Sequence, residues 1–226
     1  MPTQPIHVQG FPRETFMFLA DLSAHNQKAW FDANKDRFRR FVEQPVQDFV
    51  SVMRAHLIRR FRDIQHLEGK VFRIHRDIRF SKDKSPYKTH IGIRFSEDAS
   101  KNCAAPFFYM QLEAERLHFV TGQKEFEGKT LDRYRAAVMD AETGRELDAL
   151  MKKMRSNDAG LQGDKLQKVP GGYPADHARA DLLRFKGLYI ERSLPVTQEI
   201  CGPECVRVCL EQFARGKPLY DWLKQL

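Results

Sequence analysis

Between Arg73 and Lys88 the sequence places Arg73, Arg76, Arg79, Lys82, Lys84 and Lys88 among Asp77, Asp83, Ser81, Ser85 and Tyr87. This is the densest run of reactive and hydrogen-bonding side chains in the chain. A guanidinium is a planar, permanently charged fork that matches phosphate and carboxylate oxygens. Arg73, Arg76 and Arg79 recur at every third residue, and backbone N–H groups of the Ser81–Ser85 turn add further donors. The pattern predicts an anion site in which Arg73, Arg76, Arg79, Lys84 and Tyr87 bind a phosphate- or carboxylate-bearing ligand and Asp77 and Asp83 orient the basic groups. The competing reading is structural: the two aspartates pin the arginines in a salt-bridge network that sets the register of the first two strands. The excess of positive charge favours the ligand site.

Carboxylates surrounded by arginines have lowered pKa values, so Asp77 and Asp83 are poor proton shuttles near neutral pH and no catalytic residue is assigned. A divalent cation between them meets the same positive field and fits only alongside a phosphate ligand. A metal-assisted enzyme acting on a phosphorylated substrate is therefore one alternative. Nucleic acid is another, because the sequence pI is about 9.4. Phe72, Phe80 and Phe95 are expected to face the core, however, which leaves Tyr87 as the main aromatic for base stacking. Zinc between His75, His90 and His118 has no supporting motif spacing, and no metal ligand or cofactor is assigned. Phosphate-loop, dinucleotide, nucleophile-elbow and metalloprotease signatures are lacking from the sequence.

The elements that must position this segment follow from periodicity. Apolar residues at helical spacing predict a helix over Phe11–Ala24 and a second from Asn26 onward, through Trp30, Phe31, Phe38, Phe41 and Val42. Pro45 marks a break before a continuation to Leu57. The period then falls to two. Phe72, Ile74, Ile78 and Phe80 alternate with Arg73, His75, Asp77 and Arg79, predicting a half-buried strand with Arg76 awkwardly on its core side. Thr89–Phe95, Phe108–Leu112 and Leu117–Thr121 continue the alternation, the last two joined by a tight connection over Glu113–Arg116. Helices are expected again over Thr130–Asp140, Thr143–Met154, Asp176–Phe185 and Pro203–Arg215, with a Gly- and Pro-rich loop from Asn157 to Pro174. The expected class is α+β: a mainly antiparallel four-stranded sheet in mid-chain, packed by N-terminal and C-terminal helices, as one domain over residues 1–226.

The string Arg73-x-x-Arg76-Asp77-x-Arg79-Phe80-x-x-Asp83-Lys84-x-x-Tyr87 resembles the signature of a family of conserved hypothetical proteins of about this length and unknown function. Phe18-Leu19, Leu22, Asn26 and Trp30-Phe31-x-x-Asn34-Lys35 extend the resemblance upstream. The chain departs from the pattern at His25, where the family has a second Asn, at Phe38, where it has Tyr, and near Gly122–Phe126, where it has a Gly-rich, Trp-containing stretch. The resemblance implies membership and carries no activity with it.

With 226 residues and 42% hydrophobic side chains, the chain needs no covalent staples to build a core. Cys103, Cys201, Cys205 and Cys209 do not form a spaced disulfide framework, so they are expected as reduced thiols, the last three on one helix face. No apolar run reaches membrane-spanning length, and the first ten residues lack a signal-peptide pattern. A cytoplasmic location without membrane association is expected. The window 70–94 holds eight Lys/Arg against two Asp, most of the chain's +8, which points to an anionic partner rather than a metal cation.

Overall fold

The computed structural model describes residues 10–98, 105–155 and 160–226; Cys103 and Asn157 lie outside the described residues. Helix α1 (Arg13–Ala24) buries Thr15, Phe16, Phe18, Leu19 and Leu22, three and four residues apart, the spacing of one helical face. Short helices α2 (Lys28–Ala33) and α3 (Lys35–Phe38) lead into a π-helical turn over Arg39–Glu43 and then α4 (Gln44–Arg60). Pro45 explains the turn. Lacking an N–H, proline cannot bond the carbonyl four residues back. The chain widens so that the Gln44 N–H reaches the Arg39 carbonyl. The Phe41 carbonyl, left without its helical donor, accepts the hydroxyl of buried Thr15. The expected break is therefore a local widening, and α4 goes on to bury Val46, Phe49, Val50, Met53 and Leu57.

Six strands form an antiparallel sheet in the order β1-β2-β3-β4-β6-β5: β1 (Glu68–Val71), β2 (Ile91–Ser96), β3 (Phe107–Leu112), β4 (Arg116–Gln123), β5 (Gly160–Gln162) and β6 (Leu188–Pro195). The α+β class is as expected, with two strands more than the four foreseen. β5 is three residues long, too short for periodicity to reveal, and pairs with β6 through Leu161 opposite Ile190. β2, β3 and β4 match the three later alternating runs.

The first run does not form a strand as read. β1 ends at Val71, and Phe72 to His90 form an excursion from the sheet tied by one bridge, His75 to Tyr87. Arg76 N–H donates to Pro86 O at 2.9 Å and Lys88 N–H to Ile74 O at 2.7 Å. Burial still alternates as far as Ile78, with Ile74, Arg76 and Ile78 shielded and His75, Asp77 and Arg79 exposed; it fails at Phe80, where Asp77 and Asp83 accept the N–H groups of Arg79 (3.3 Å) and Ser85 (2.9 Å). These two-residue side-chain turns compete with strand geometry. Phe80, expected in the core, is 95% exposed.

The chain packs as two compact units: Met1–Phe95 with Tyr109–His118 and Ser193–Gln212, and Ser96–Phe108 with Phe119–Arg192 and Phe213–Leu226. In the first, aromatic rings carry much of the core: Phe11 lies 4.7 Å from Phe49, Phe31 5.2 Å from Phe38 and Phe18 5.6 Å from Phe38, centroid to centroid. In the second, helices α5 (Lys129–Met139), α6 (Thr143–Arg155) and α7 (Ala180–Leu183) and the end of α8 (Cys205–Lys224) enclose Phe126, Tyr134, Val138, Leu147, Leu183 and Leu219. The Tyr134 hydroxyl donates to Leu182 O at 2.8 Å and the Trp222 indole to Thr143 O at 3.0 Å. α8 runs past the expected end at Arg215, through Gly216 and Pro218. Leu219, Tyr220, Trp222 and Leu223 are buried beyond that point, and their burial outweighs the helix-breaking tendency of both residues.

Candidate functional site

Within the first unit, a groove of about 400 Å³ runs between the α2–α4 segment and the chain leaving β1. Its apolar wall comes from Phe31, Phe38, Val42, Val46, Phe72 and Ile91. These residues lie there because the helical stripe that buries Val42 and Val46 meets the sheet edge at Val71–Ile74. Its polar lining holds the cations Lys35, Arg39 and Arg73 against one carboxylate, Glu43, together with His75 and Gln47. Arg39 stands 3.5 Å from exposed Asp36, a contact worth little in water. Lys35 and Arg73 form no ion pair with any described residue.

Of the residues expected to bind the ligand, Arg73 alone lines this groove. Arg76 lies at the base of the excursion, where its guanidinium binds Asp83, the Ser85 carbonyl at 3.2 Å and the Ser81 hydroxyl at 3.3 Å. Arg79 forms a two-pronged pair with Asp77, at 2.9 and 2.6 Å. The Lys84 ammonium donates to Ile78 O at 3.0 Å.

Each aspartate is strongly solvated by its neighbours. The Ser85 hydroxyl, then the Ser85 N–H, then Arg76 hold Asp83 down to about 2. The Arg79 side chain, then its N–H, holds Asp77 below the usual carboxylate range. Tyr87 is only 4% exposed and stacks on Phe31 with ring centroids 4.2 Å apart. Burial pushes its phenol up, with Asp32 adding to the shift. Arg76 with Asp83 and Arg79 with Asp77 are thus two neutralised pairs that shape the excursion, while Arg73 leaves it on the groove side.

Lys35 and Arg39 entered the lining without being foreseen as site residues. Their signal was the recurrence of Lys35, Arg39 and Glu43 at every fourth residue beside the apolar stripe.

The three histidines considered for zinc are distributed differently. His75 packs 5.1 Å from the Tyr87 ring. His118 Nε2 lies 3.2 Å from Glu113 Oε2. Burial, then the Lys88 charge, lowers the pKa of His90. Among the described residues no group of three or more His, Cys, Asp or Glu is placed to hold a metal ion. Cys205 and Cys209 are buried free thiols, and Cys201 is half-buried.

No helix among the described residues is long and apolar enough to cross a membrane. No curated protein matches the chain. The family model described as "Conserved hypothetical protein (DUF2461)" matches residues 14–222, which takes in the groove, the excursion and the whole sheet. The chain therefore belongs to the DUF2461 family of conserved hypothetical proteins, a family of unknown function.

Proposed function

We propose that this is a cytoplasmic binding protein for a small ligand that carries a carboxylate or phosphate on an apolar body. The observation that carries this reading is the groove beside α2–α4: an apolar wall edged by three cations and one carboxylate. An apolar body laid on Phe31, Phe38, Val42 and Phe72 gains roughly 25 cal/mol for each Å² withdrawn from water. The anionic head then pairs with Arg73 and Lys35, neither of which forms an ion pair with a described residue. Asp77, Asp83, Arg76, Arg79 and Lys84 serve this site by folding the excursion from which Arg73 projects, and Tyr87 serves it as the ring packed against Phe31. The three free thiols suit a reducing compartment.

The test is a thermal-shift and calorimetric comparison of inorganic phosphate, acetate, phenyl phosphate and octanoate. The expected result is a raised melting temperature with phenyl phosphate or octanoate and none with phosphate or acetate. Arg73→Ala is expected to weaken that binding about tenfold or more, the loss of one charge-assisted hydrogen bond of about 1.5–3 kcal/mol. Equal response to all four anions, no response to any, or an Arg73→Ala variant that binds as the wild type would refute the proposal.

A further inference from the structure

The tip of the excursion carries a feature that the groove does not use. Phe80 is 95% exposed; Met17, at 58%, is the other large hydrophobic side chain in the exposed class among the described residues. Burying such a ring is ordinarily favourable, and the turns at Asp77 and Asp83 instead hold it in solvent. The Arg79 guanidinium lies 5.8 Å from its centroid, within cation–π range. The surrounding charge is unbalanced. Residues 73–88 contain six Lys/Arg and two Asp, and both carboxylates are already committed, Asp83 to Arg76 and Asp77 to Arg79. Lys82 makes no ion pair with any described residue, and Lys84 bonds a neutral carbonyl, so both keep their charge for a partner.

We infer that the Asp77–Ser85 tip is a contact for single-stranded nucleic acid, with Phe80 stacking on an unpaired base and Lys82 and Lys84 meeting the flanking phosphates. An aromatic face beside cations that track a phosphate chain is the chemistry of sequence-tolerant single-strand binding. A projecting ring needs a base that has left its stack, so a paired duplex offers it nothing to stack on. A lipid surface fits less well. One ring flanked by Arg79, Ser81 and Lys82 offers little area to hydrocarbon, and seating the tip on an anionic plane would bring Asp77 and Asp83, both exposed, down onto it. The sequence pattern pointed the other way, with Phe80 inside and Tyr87 available for stacking; the structure exchanges the two.

Fluorescence anisotropy with a labelled 20-nucleotide single strand tests this. The wild type is expected to bind with affinity that falls as salt rises, the logarithmic slope being about −0.7 for each phosphate neutralised. Phe80→Ala and Phe80→Leu are each expected to weaken binding roughly 5- to 100-fold, the value of one stacked base, while Phe80→Trp retains it. Lys82→Ala and Lys84→Ala each reduce the salt slope by about 0.7. Because Phe80 packs against nothing in the core, its variants keep the wild-type melting temperature. No binding to the single strand, an equal or tighter affinity for the matching duplex, or Phe80→Ala binding as the wild type would each overturn the inference. So would phosphatidylserine vesicles that bind more tightly than the strand and retain Phe80→Leu. Phe80 and Lys82 neither line the groove nor take part in the contacts that fold the excursion, so their outcome is separate from that of the small-ligand reading.

Discussion

Asn26 satisfies both main-chain polar groups of Tyr87: its Nδ2 donates to the Tyr87 carbonyl at 2.9 Å and its Oδ1 accepts the Tyr87 N–H at 3.1 Å. A side chain from the turn before α2 thereby acts as the missing neighbour strand at the one bridge of the excursion. Asn26→Ala would leave a partly buried donor and acceptor unpaired, for an expected loss of about 2–3 kcal/mol. Asn26→Asp keeps the acceptor and forfeits the donor, so about half that loss is expected. Urea unfolding midpoints at an unchanged slope would read both values, and an alanine variant as stable as the wild type would contradict the role.

Asp83 should titrate far from its ordinary value. The Ser85 hydroxyl and N–H and the Arg76 guanidinium favour its charged form and hold it at about 2, against 3.8 unperturbed. A carboxyl depressed in the folded state adds stability above the unfolded value, and that stability is lost as pH falls through the folded one. The contribution of Asp83 is thus complete above pH 3.8 and disappears near pH 2. Carboxyl carbon chemical shifts followed by NMR should show a midpoint near 2 in the wild type. A midpoint at the unperturbed value would show that the Ser85 and Arg76 contacts do not persist in solution.

Gly216 offers a contest between two effects of known size. In an isolated helix, alanine is favoured over glycine by about 1 kcal/mol. Here a Cβ at position 216 would stand 2.4 Å from Thr121 Oγ1 and 2.5 Å from Thr121 Cβ, and the helix would have to retreat from the strand. Overpacking of this kind costs about 1–3 kcal/mol. Gly216→Ala is therefore expected to lower stability by up to about 2 kcal/mol, seen as a reduced thermal midpoint. A raised midpoint would show that α8 yields freely.

Much of the helical layer was legible because it depends on spacing alone. The stripe of Phe16, Leu19 and Leu22 and that of Phe49, Met53 and Leu57 bury as their period requires. Pro45 signalled the right place for a disturbance but not its form. The π-helical turn depends on Thr15, which is distant in sequence and supplies the donor that Pro45 lacks. β2, β3 and β4 were visible in their alternation, whereas three-residue β5 carried no periodic signal.

The residues of the Arg73–Lys88 segment, their charge excess and the α+β class follow from the sequence by itself, because residue types and short-range periods are local properties. Which arginine faces a cavity, and which aromatic ring meets solvent, only the tertiary structure decided. Asp77 and Asp83 claim nearby N–H groups and so end the strand that alternation implies, while Phe31 and Asn26, more than fifty residues away, draw Tyr87 inward. Alternation records how a side chain would point if the backbone stayed extended, and here local hydrogen bonds bend the backbone before that rule reaches Phe80.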